Sequence, residues 1–255
     1  MLKSLFRRQS FLEEGLEEWC LGAFAWLMRN LGGVSHLATT PLVLANTDFF
    51  PPTTAEGEAR AAYLFEQVKA LMGMQDWDCE LRALDGANSA RVGEFWVLQS
   101  NAAAGTFQVT GGRAIISYST DLIGDPRRLI AVFTHELCHY RLAGFGAPGP
   151  GEEIGNELLT DLAVAYFGFG VFAANAAFHF QQHMDAFSQG WRSQRSGYLS
   201  ERTWAFAIAL FLMLQGQTLE VACKALKPNI ADLARKAERY LRKNPDLIAP
   251  LQAIA

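Results

Sequence analysis

The pentapeptide His135-Glu136-Leu137-Cys138-His139 restricts what this chain can fold into more than any other stretch of it. Two histidines at i and i+4 lie on one face of a helix, about one turn apart, so both imidazoles can bind a single metal ion with little strain. Glu136 follows the first histidine directly, and from there its carboxylate can act as a general base on a water at the metal. The pattern therefore predicts a helix and a hydrolytic metal site in the same place.

The residues around the pentapeptide favour the helix that the pattern requires. Asp125 can cap such a helix, and Pro126 suits its first position. An apolar face is formed by Leu129, Ile130, Val132 and Phe133. The glycines of Gly144-Phe145-Gly146 are typical of a helix end. We predict a helix from about Pro126 to about Ala143.

A second helix is predicted to begin near Glu152, after the glycine- and proline-rich turn at 148–151, and to run back antiparallel to the first. It would bring Glu157 opposite the two histidines as a third metal ligand and leave the fourth position to water, as in catalytic zinc sites. Asp161 lies one turn further along the same face, where it could accept the second N–H of a ligating histidine. The spacing also allows Asp161 to bind the metal in place of Glu157.

The same residues allow an interpretation without a metal. In that interpretation His135 and His139 are partly buried in a helix and hydrogen-bonded to Glu157 and Asp161, while Glu136 lies at the surface. The two interpretations therefore differ in the place that they give to Glu136.

The H-E-L-C-H stretch, together with the later E-x-x-x-D of Glu157 and Asp161, resembles the gluzincin type of zinc metallopeptidase, which includes thermolysin-like enzymes and aminopeptidases. The resemblance implies three zinc ligands, which are His135, His139 and Glu157. It also implies that Glu136 is the general base and proton shuttle and that Asp161 orients a histidine. The resemblance covers about forty residues, and the substrate-binding and exopeptidase motifs of the gluzincins do not recur outside them. A looser similarity, on the same residues, is to cytosolic regulatory proteases of the ImmA/IrrE type.

Length, charge and cysteine content set broader limits. The chain has 255 residues, half of them hydrophobic, which is enough to bury a core. Its net charge is −4, with acidic and basic residues interspersed, so we expect no nucleic-acid partner. Cys20, Cys79, Cys138 and Cys223 are far apart and form no C-x-x-C pair, which is typical of reduced thiols in the cytoplasm. Cys138 is expected to be a small buried residue off the ligand face.

Two stretches bear on membrane association. The N-terminus carries Lys3, Arg7 and Arg8, but four glutamates between 13 and 18 interrupt the following apolar residues, so we predict no signal peptide. The stretch from Leu162 to Phe178 contains no charged residue. It starts directly after Asp161, contains glycines and lacks basic flanks, so we predict a buried core helix with a bend near Gly168 and no membrane span.

Hydrophobic periodicity predicts an α+β fold that is mainly helical, with a small antiparallel or mixed sheet packed on the metal helix. Helices are predicted over 11–31, 54–72, 126–143, 152–188, 200–214, 218–226 and 230–243. Strands are predicted over 79–84, 94–99, 106–110 and 114–119, with Gly111-Gly112 as a hairpin turn. We divide the chain into an amphipathic helical segment (1–45), an α/β lobe that ends in the metal helix (46–146) and a helical lobe with the third ligand (147–255), with a cleft between the lobes.

Substrate-binding groups are less well defined by the sequence. In the families that the chain resembles, a strand before the metal helix binds the substrate backbone, so one strand of the hairpin is expected to do so here. A donor for the oxyanion could be Tyr166, Tyr198 or Arg195. The histidines of a second i, i+4 pair, His179 and His183, either end a helix as ordinary polar residues or serve the same purpose.

These inferences converge on a cytoplasmic zinc-dependent peptidase. It would bind one Zn²⁺ per chain through His135, His139 and Glu157, and it would act on a peptide or protein substrate with Glu136 as the general base. A narrow regulatory substrate fits a chain without the marks of a digestive enzyme. The alternative is a non-catalytic module in which zinc stabilises a binding or regulatory domain.

Overall fold

The computed structural model of the chain describes residues 9–13, 15–84, 105–145, 149–150, 157–185 and 198–255, with residues 178–185 described by their backbone only. The helices, numbered in chain order, are α1 Leu16–Asn30, α2 Gly33–Thr39, α3 Gly57–Leu71, α4 Pro126–Ala143, α5 Glu157–Tyr166, α6 Gly170–Asp185, α7 Glu201–Leu214, α8 Glu220–Ala225, α9 Pro228–Lys243 and α10 Ala249–Gln252. The strands are β1 Cys79–Leu84, β2 Gly105–Thr110 and β3 Arg113–Ser119. The α+β, mainly helical fold class is confirmed.

The sheet is small and mixed, in the order β1-β3-β2. β3 lies in the middle, parallel to β1 and antiparallel to β2. Gly111 and Gly112 connect β2 to β3 with φ angles of 60° and 82°, the left-handed values that a tight hairpin turn needs. The predicted hairpin is therefore confirmed, whereas the predicted strand at 94–99 lies outside the described residues.

The helix α4 lies against the sheet and joins it to the helical part of the chain. Residues 114–118 of β3 are buried, and both β2 and β3 contact α4. The Phe133 ring of α4 packs edge-on against Tyr118 of β3, with ring centroids 5.4 Å apart, and against Phe65 of α3, at 5.2 Å. Each large side chain buried in this way contributes about 1.5–3 kcal/mol, so the metal helix has a firm apolar support.

The core of the helical part is α7. Almost every residue of this helix is buried, and it contacts α5, α6 and α9. Its start agrees with the prediction, because the side chain of Ser200 accepts the backbone N–H of Thr203 as an N-cap. A fully apolar helix of this kind is expected at the centre of a helical domain, where neighbours cover it on all sides.

The apolar stretch that begins after Asp161 forms two helices with a break between them, as predicted. Gly168, between α5 and α6, has a φ of 83°, and a Cβ there would lie 1.9 Å from the Pro41 carbonyl oxygen. The Gly168 carbonyl oxygen also accepts the backbone N–H of Val43 at 3.0 Å. The bend therefore depends on a glycine. In the described part of the chain, none of the helices has the length and apolar character that crossing a membrane would require.

Some of the predicted helix boundaries are wrong. α1 begins at Leu16 and not at Phe11, because Gly15 has a φ of 82° and Phe11 packs instead against Phe206, with ring centroids 6.0 Å apart. α3 begins at Gly57 and not at 54. The helix predicted over 218–226 is shorter, since it spans only Glu220–Ala225. The division of the chain at residues 45 and 146 stays a prediction.

Candidate metal centre

The helix that carries the pentapeptide has the bounds that the sequence predicts, Pro126–Ala143. The Asp125 side chain accepts the Arg128 backbone N–H at 3.2 Å, so the predicted N-cap is present. Leu129, Val132 and Phe133 are buried, which fixes the rotation of the helix about its axis. This rotation turns His135 and His139 toward α5, where their rings pack edge to face with centroids 4.7 Å apart.

The helix α5 runs antiparallel to α4 across the two histidines. Asp161 contacts His135, whereas Thr160, one residue earlier on α5, contacts His139. The carboxylate of Glu157 lies against both rings. The antiparallel pairing was predicted, and the structure brings these side chains together. The predicted start of this helix near Glu152 lies outside the described residues.

His135, His139 and Glu157 form a group that could hold a metal ion, with ligand atoms all within 4.8 Å of one another. The Nε2 atoms of His135 and His139 are 3.1 Å apart. Glu157 places Oε2 3.0 Å from Nε2 of His135 and Oε1 3.5 Å from Nε2 of His139. Ligands at zinc bond lengths in a tetrahedron are about 3.3 Å apart. The donor set therefore fits zinc with little movement, although zinc as the metal stays a prediction.

Hydrogen bonds hold each histidine with Nε2 toward the centre of the group. Asp161 Oδ1 accepts a hydrogen bond from Nδ1–H of His135 at 3.0 Å, and its Oδ2 accepts the Leu199 backbone N–H at 2.9 Å. The hydroxyl oxygen of Thr160 lies 3.2 Å from Nδ1 of His139. The contact with Asp161 favours the proton on Nδ1 of His135, which leaves Nε2 for a metal, and the contact with Thr160 fixes the orientation of the His139 ring. Asp161 therefore lies behind His135, and Glu157 takes the position of the third ligand.

Glu136 is buried beside the histidines, with 7% of its surface exposed. Burial raises the pKa of Glu136, against the opposing effect of His135 and His139. The interpretation without a metal places this carboxylate at the surface, and on that point it is wrong. A buried carboxylate with a raised pKa holds a proton more readily than an exposed one, which suits a group that takes up a proton and passes it on.

The strand β2 reaches α4 at Glu136. A Cβ added to Gly105, the first residue of β2, would lie 2.5 Å from Cγ1 of Val132 and 3.1 Å from Cγ of Glu136. It would also lie 3.0 Å from the carbonyl oxygen of Ser117 on β3. The β2 backbone can lie this close to the side chains of α4 only because residue 105 is glycine.

The other residues that the sequence suggested for the site do not all lie beside it. The ring of Tyr198 lies near His135, with centroids 5.8 Å apart. Tyr166 is fully buried, and its hydroxyl lies 3.2 Å from Nδ1 of His36, so its OH is engaged there. Arg195 and the side chains of His179 and His183 lie outside the described residues. Cys138 is buried, as predicted, and burial raises its pKa well above the ordinary thiol value.

Two contacts of the site were missed from the sequence. Thr160 lies three residues after Glu157 on α5, a spacing that places both on one face and could have suggested its contact with His139. The Leu199 backbone N–H could not have been found in this way, because it comes from a distant part of the chain.

The electrostatics of the metal-free site predict a pH-dependent stability. Burial alone would lower the pKa of His135, but hydrogen bonds to Asp161 and Glu157 outweigh it and raise this pKa well above its usual value. A raised histidine pKa stabilises the fold fully below about pH 6.5, and this stabilisation is lost as the pH rises through the folded pKa. Burial also raises the pKa values of Glu136 and Asp161. These raised values likewise make the folded protein less stable as the pH rises. Glu157, with its lowered pKa, gives stability that is lost only in acid, below about pH 4.3.

We therefore expect the free energy of unfolding of the chelator-treated protein to fall between pH 6 and pH 8.5. Urea unfolding at both pH values, with the metal removed, measures the difference. The variant His135→Gln should show a smaller difference, because it lacks the group with the raised pKa. A metal-free protein that is more stable at pH 8.5 would contradict the assignment of a proton to His135.

Removal of the groups behind the histidines should weaken metal binding. Asp161→Asn and Thr160→Val each remove a contact that orients one ring, and such partners are worth about 10- to 100-fold in metal affinity. Competition between the protein and a zinc chelator gives the affinity directly. Asp246→Asn, at an exposed residue far along the chain, is the control and should bind zinc as the unaltered protein does. An unchanged affinity in Asp161→Asn would show that this carboxylate does not support the ligand.

Comparison of the chain with protein-family models, with curated proteins and with solved structures gave no significant match. Fold and site therefore define the protein only by class, as a mainly helical α+β protein with a group of two histidines and one glutamate that could hold a metal ion.

Proposed function

We propose that the protein is a zinc-dependent peptidase, in which His135, His139 and Glu157 hold the metal and Glu136 is the general base. The observation that carries the proposal is the geometry of the donor atoms. Three ligand atoms lie within 4.8 Å of one another, and a buried carboxylate follows the first ligand in the chain. A site that served only to stabilise the fold would have four protein ligands, whereas the described residues supply three and leave one position for water.

Zinc is the metal that suits these donors. Two imidazoles and one carboxylate form a set typical of catalytic zinc, and the distances between their donor atoms are close to those of a tetrahedron. When bound, zinc would supply a Lewis acid that polarises a carbonyl oxygen and acidifies water. Oxygen-binding metals such as Mg²⁺ and Ca²⁺ are less well matched to two imidazole nitrogens.

The residues of the chain would divide the remaining work. Glu136 takes a proton from the attacking water and passes it to the leaving amine, for which its burial and raised pKa are suitable. Asp161 and Thr160 hold the two rings in position. Tyr198, whose ring lies beside His135, is the candidate donor for the oxyanion.

The strand β2 is the surface on which we place the substrate backbone. Its first residue lies close to the Glu136 side chain, and β2 is one of the two outer strands of the sheet among the described residues. An extended peptide paired with β2 would pass close to the general base, as in strand addition. The four free cysteines fit a reducing compartment, so we place the reaction in the cytoplasm, on one or a few protein substrates.

Elemental analysis combined with digestion of an unbiased peptide library tests the proposal. We expect about one zinc per chain and cleavage products that are absent when a chelator is present. Among the described residues, the buried hydrophobic core does not include His135, His139 or Glu157. Removal of the metal by a chelator should therefore leave most of the stability intact. Stoichiometric zinc with unfolding on chelation, and with no cleavage of peptides or of trapped protein substrates, would instead support the non-catalytic zinc-stabilised module.

A further inference from the structure

A cavity of about 670 Å³ lies at the amino-terminal end of α4, bounded also by α6 and by the segment that connects α8 to α9. This volume is in the range of pockets that hold small organic ligands. Arg128, at the cavity, precedes His135 by seven residues, which is about 10 Å along a helix. The cavity is therefore separate from the candidate metal centre and does not depend on the proposed function.

Four cationic side chains line this cavity, namely Arg127, Arg128, Lys224 and Lys227. Within the described residues, none of the four has a carboxylate within 4.0 Å. The one acidic group in the lining, Asp125, is already used as the N-cap of α4. The lining thus carries a clear excess of positive charge in a chain whose net charge is −4.

One of these cations is also incompletely bonded. The Nε atom of Arg128 is buried, and it has no hydrogen-bond partner among the residues that the structure describes. Buried polar atoms are nearly always hydrogen-bonded, so this guanidinium, whose residue lines the cavity, lacks part of its usual hydrogen bonding within the described residues. A guanidinium group is the side chain best suited to a phosphate or carboxylate partner.

Part of the cavity wall is apolar. It includes Leu44, Val171, Phe172 and Leu226, together with Val221, which is 51% exposed. Large hydrophobic side chains that are this exposed are uncommon in the described part of the chain. A cavity wall with both cationic and apolar parts suits a ligand with an anionic head and an apolar body.

The wall that carries the lysines is held in place. Asn175 of α6 donates from Nδ2 to the Ala225 carbonyl oxygen at 2.9 Å, and its Oδ1 accepts the Lys227 backbone N–H at 2.8 Å. These two bonds fix the segment after α8 against α6. The lining residues of this segment and of α6 therefore keep their relative positions before a ligand binds, which lowers the entropic cost of binding.

We propose that this cavity binds an organic phosphate monoester, with the phosphate on the four cations and the apolar substituent against Phe172 and Val221. Several unpaired cations favour a dianionic head over a carboxylate, which carries a single charge. The apolar wall adds affinity that inorganic phosphate cannot gain.

Calorimetric titration of the full-length protein with hexyl phosphate tests the proposal, with hexanoate and inorganic phosphate as comparison ligands. We expect saturable binding of one hexyl phosphate per chain and binding of both comparison ligands at least about 10-fold weaker. Affinity should fall as salt is added, because the cations are partly exposed. Equal or tighter binding of hexanoate would overturn the dianionic head, and equal binding of inorganic phosphate would overturn the apolar subsite.

Two matched pairs of variants locate the site. The double variant Lys224→Gln, Lys227→Gln should bind hexyl phosphate at least about 10-fold more weakly, whereas Lys236→Gln, Lys243→Gln on α9, outside the cavity lining, should not.

The second pair tests the apolar wall. Val221→Asp should abolish binding, because it puts a charge in the apolar part of the lining and places a carboxylate one turn from Lys224 on α8, where it competes with the phosphate for that lysine. Val109→Asp makes the same substitution at a valine on β2 that is 60% exposed, and it should not change the affinity for hexyl phosphate. Both positions are exposed, so the fold should tolerate the changes. Absence of saturable binding to the unaltered protein, or equal effects within either pair, would overturn the proposal.

Discussion

Glu136→Gln is expected to lower peptide hydrolysis by about 10²- to 10⁴-fold while the protein keeps its fold and its zinc. Glutamine has nearly the same shape as glutamate, but it cannot take a proton from water. Glu136 is not among the three residues that form the candidate ligand group, so the donor atoms stay in place. The loss should therefore appear in kcat, with substrate binding largely unchanged.

The measurement compares kcat and KM of the variant with those of the unaltered protein, on a peptide selected from the library, together with the zinc content of both. Glu17→Gln is the matched control, since Glu17 is another buried glutamate, and it lies between the Phe11 backbone and the Tyr240 hydroxyl. It should keep its kcat, even where its stability is lower. Full activity in Glu136→Gln would remove the general base from the mechanism and, with it, the proposed function.

His139→Ala is expected to lower zinc affinity by more than about 100-fold, because the loss of an orienting partner alone costs 10- to 100-fold and here a ligand itself is lost. Only His135 and Glu157 would remain from the group. Hydrolysis should disappear together with the metal. The readout is zinc content after dialysis, combined with a chelator competition.

His36→Ala is the matched control for this variant. His36 is also a half-buried histidine, but its Nδ1 lies 3.2 Å from the Tyr166 hydroxyl and its ring stacks on that of Tyr166. This variant should keep one zinc per chain. If both variants retained zinc equally, the ion would be bound elsewhere, and the assignment of His139 as a ligand would be wrong.

The elements predicted best from the sequence are those whose ends are defined by local chemistry. The bounds of α4 were predicted correctly because Asp125 and Pro126 fix one end and Gly144 lies at the other. The hairpin was predicted because Gly111 and Gly112 permit only a few turns. In both cases the residues that decide the structure are adjacent in the chain, so no knowledge of packing was needed.

Elements decided by distant contacts were predicted less well. α2 was missed because Gly32 and Gly33 indicate a helix end, yet the chain continues as a short helix whose Val34 N–H donates to the Ile254 carbonyl oxygen. The start of α1 was misplaced because Phe11 packs on Phe206, far away in the sequence. Periodicity cannot show such contacts, since it reports only which face of a segment is apolar.

The candidate site likewise has parts that depend on local sequence patterns and parts that depend on distant contacts. The i, i+4 histidines and the Glu157-x-x-x-Asp161 spacing predicted which side chains would meet, because both patterns depend on helix geometry alone. The sequence left open whether Glu157 or Asp161 faces the centre of the group. The structure places Asp161 behind His135, where it is also bonded to the Leu199 backbone, and the choice therefore depends on the chain beyond residue 197. The catalytic and metal-binding roles of these residues stay predictions.

The close approach at Gly105 has a mechanical consequence. Since residue 105 has no side chain to separate β2 from α4, a movement of the strand toward the helix would bring its backbone against Val132 and Glu136. Any molecule that bound along β2 could thus alter the aim of the carboxylate by simple contact. The position of a molecule bound along β2 would thus affect the Glu136 carboxylate directly, without a separate conformational change.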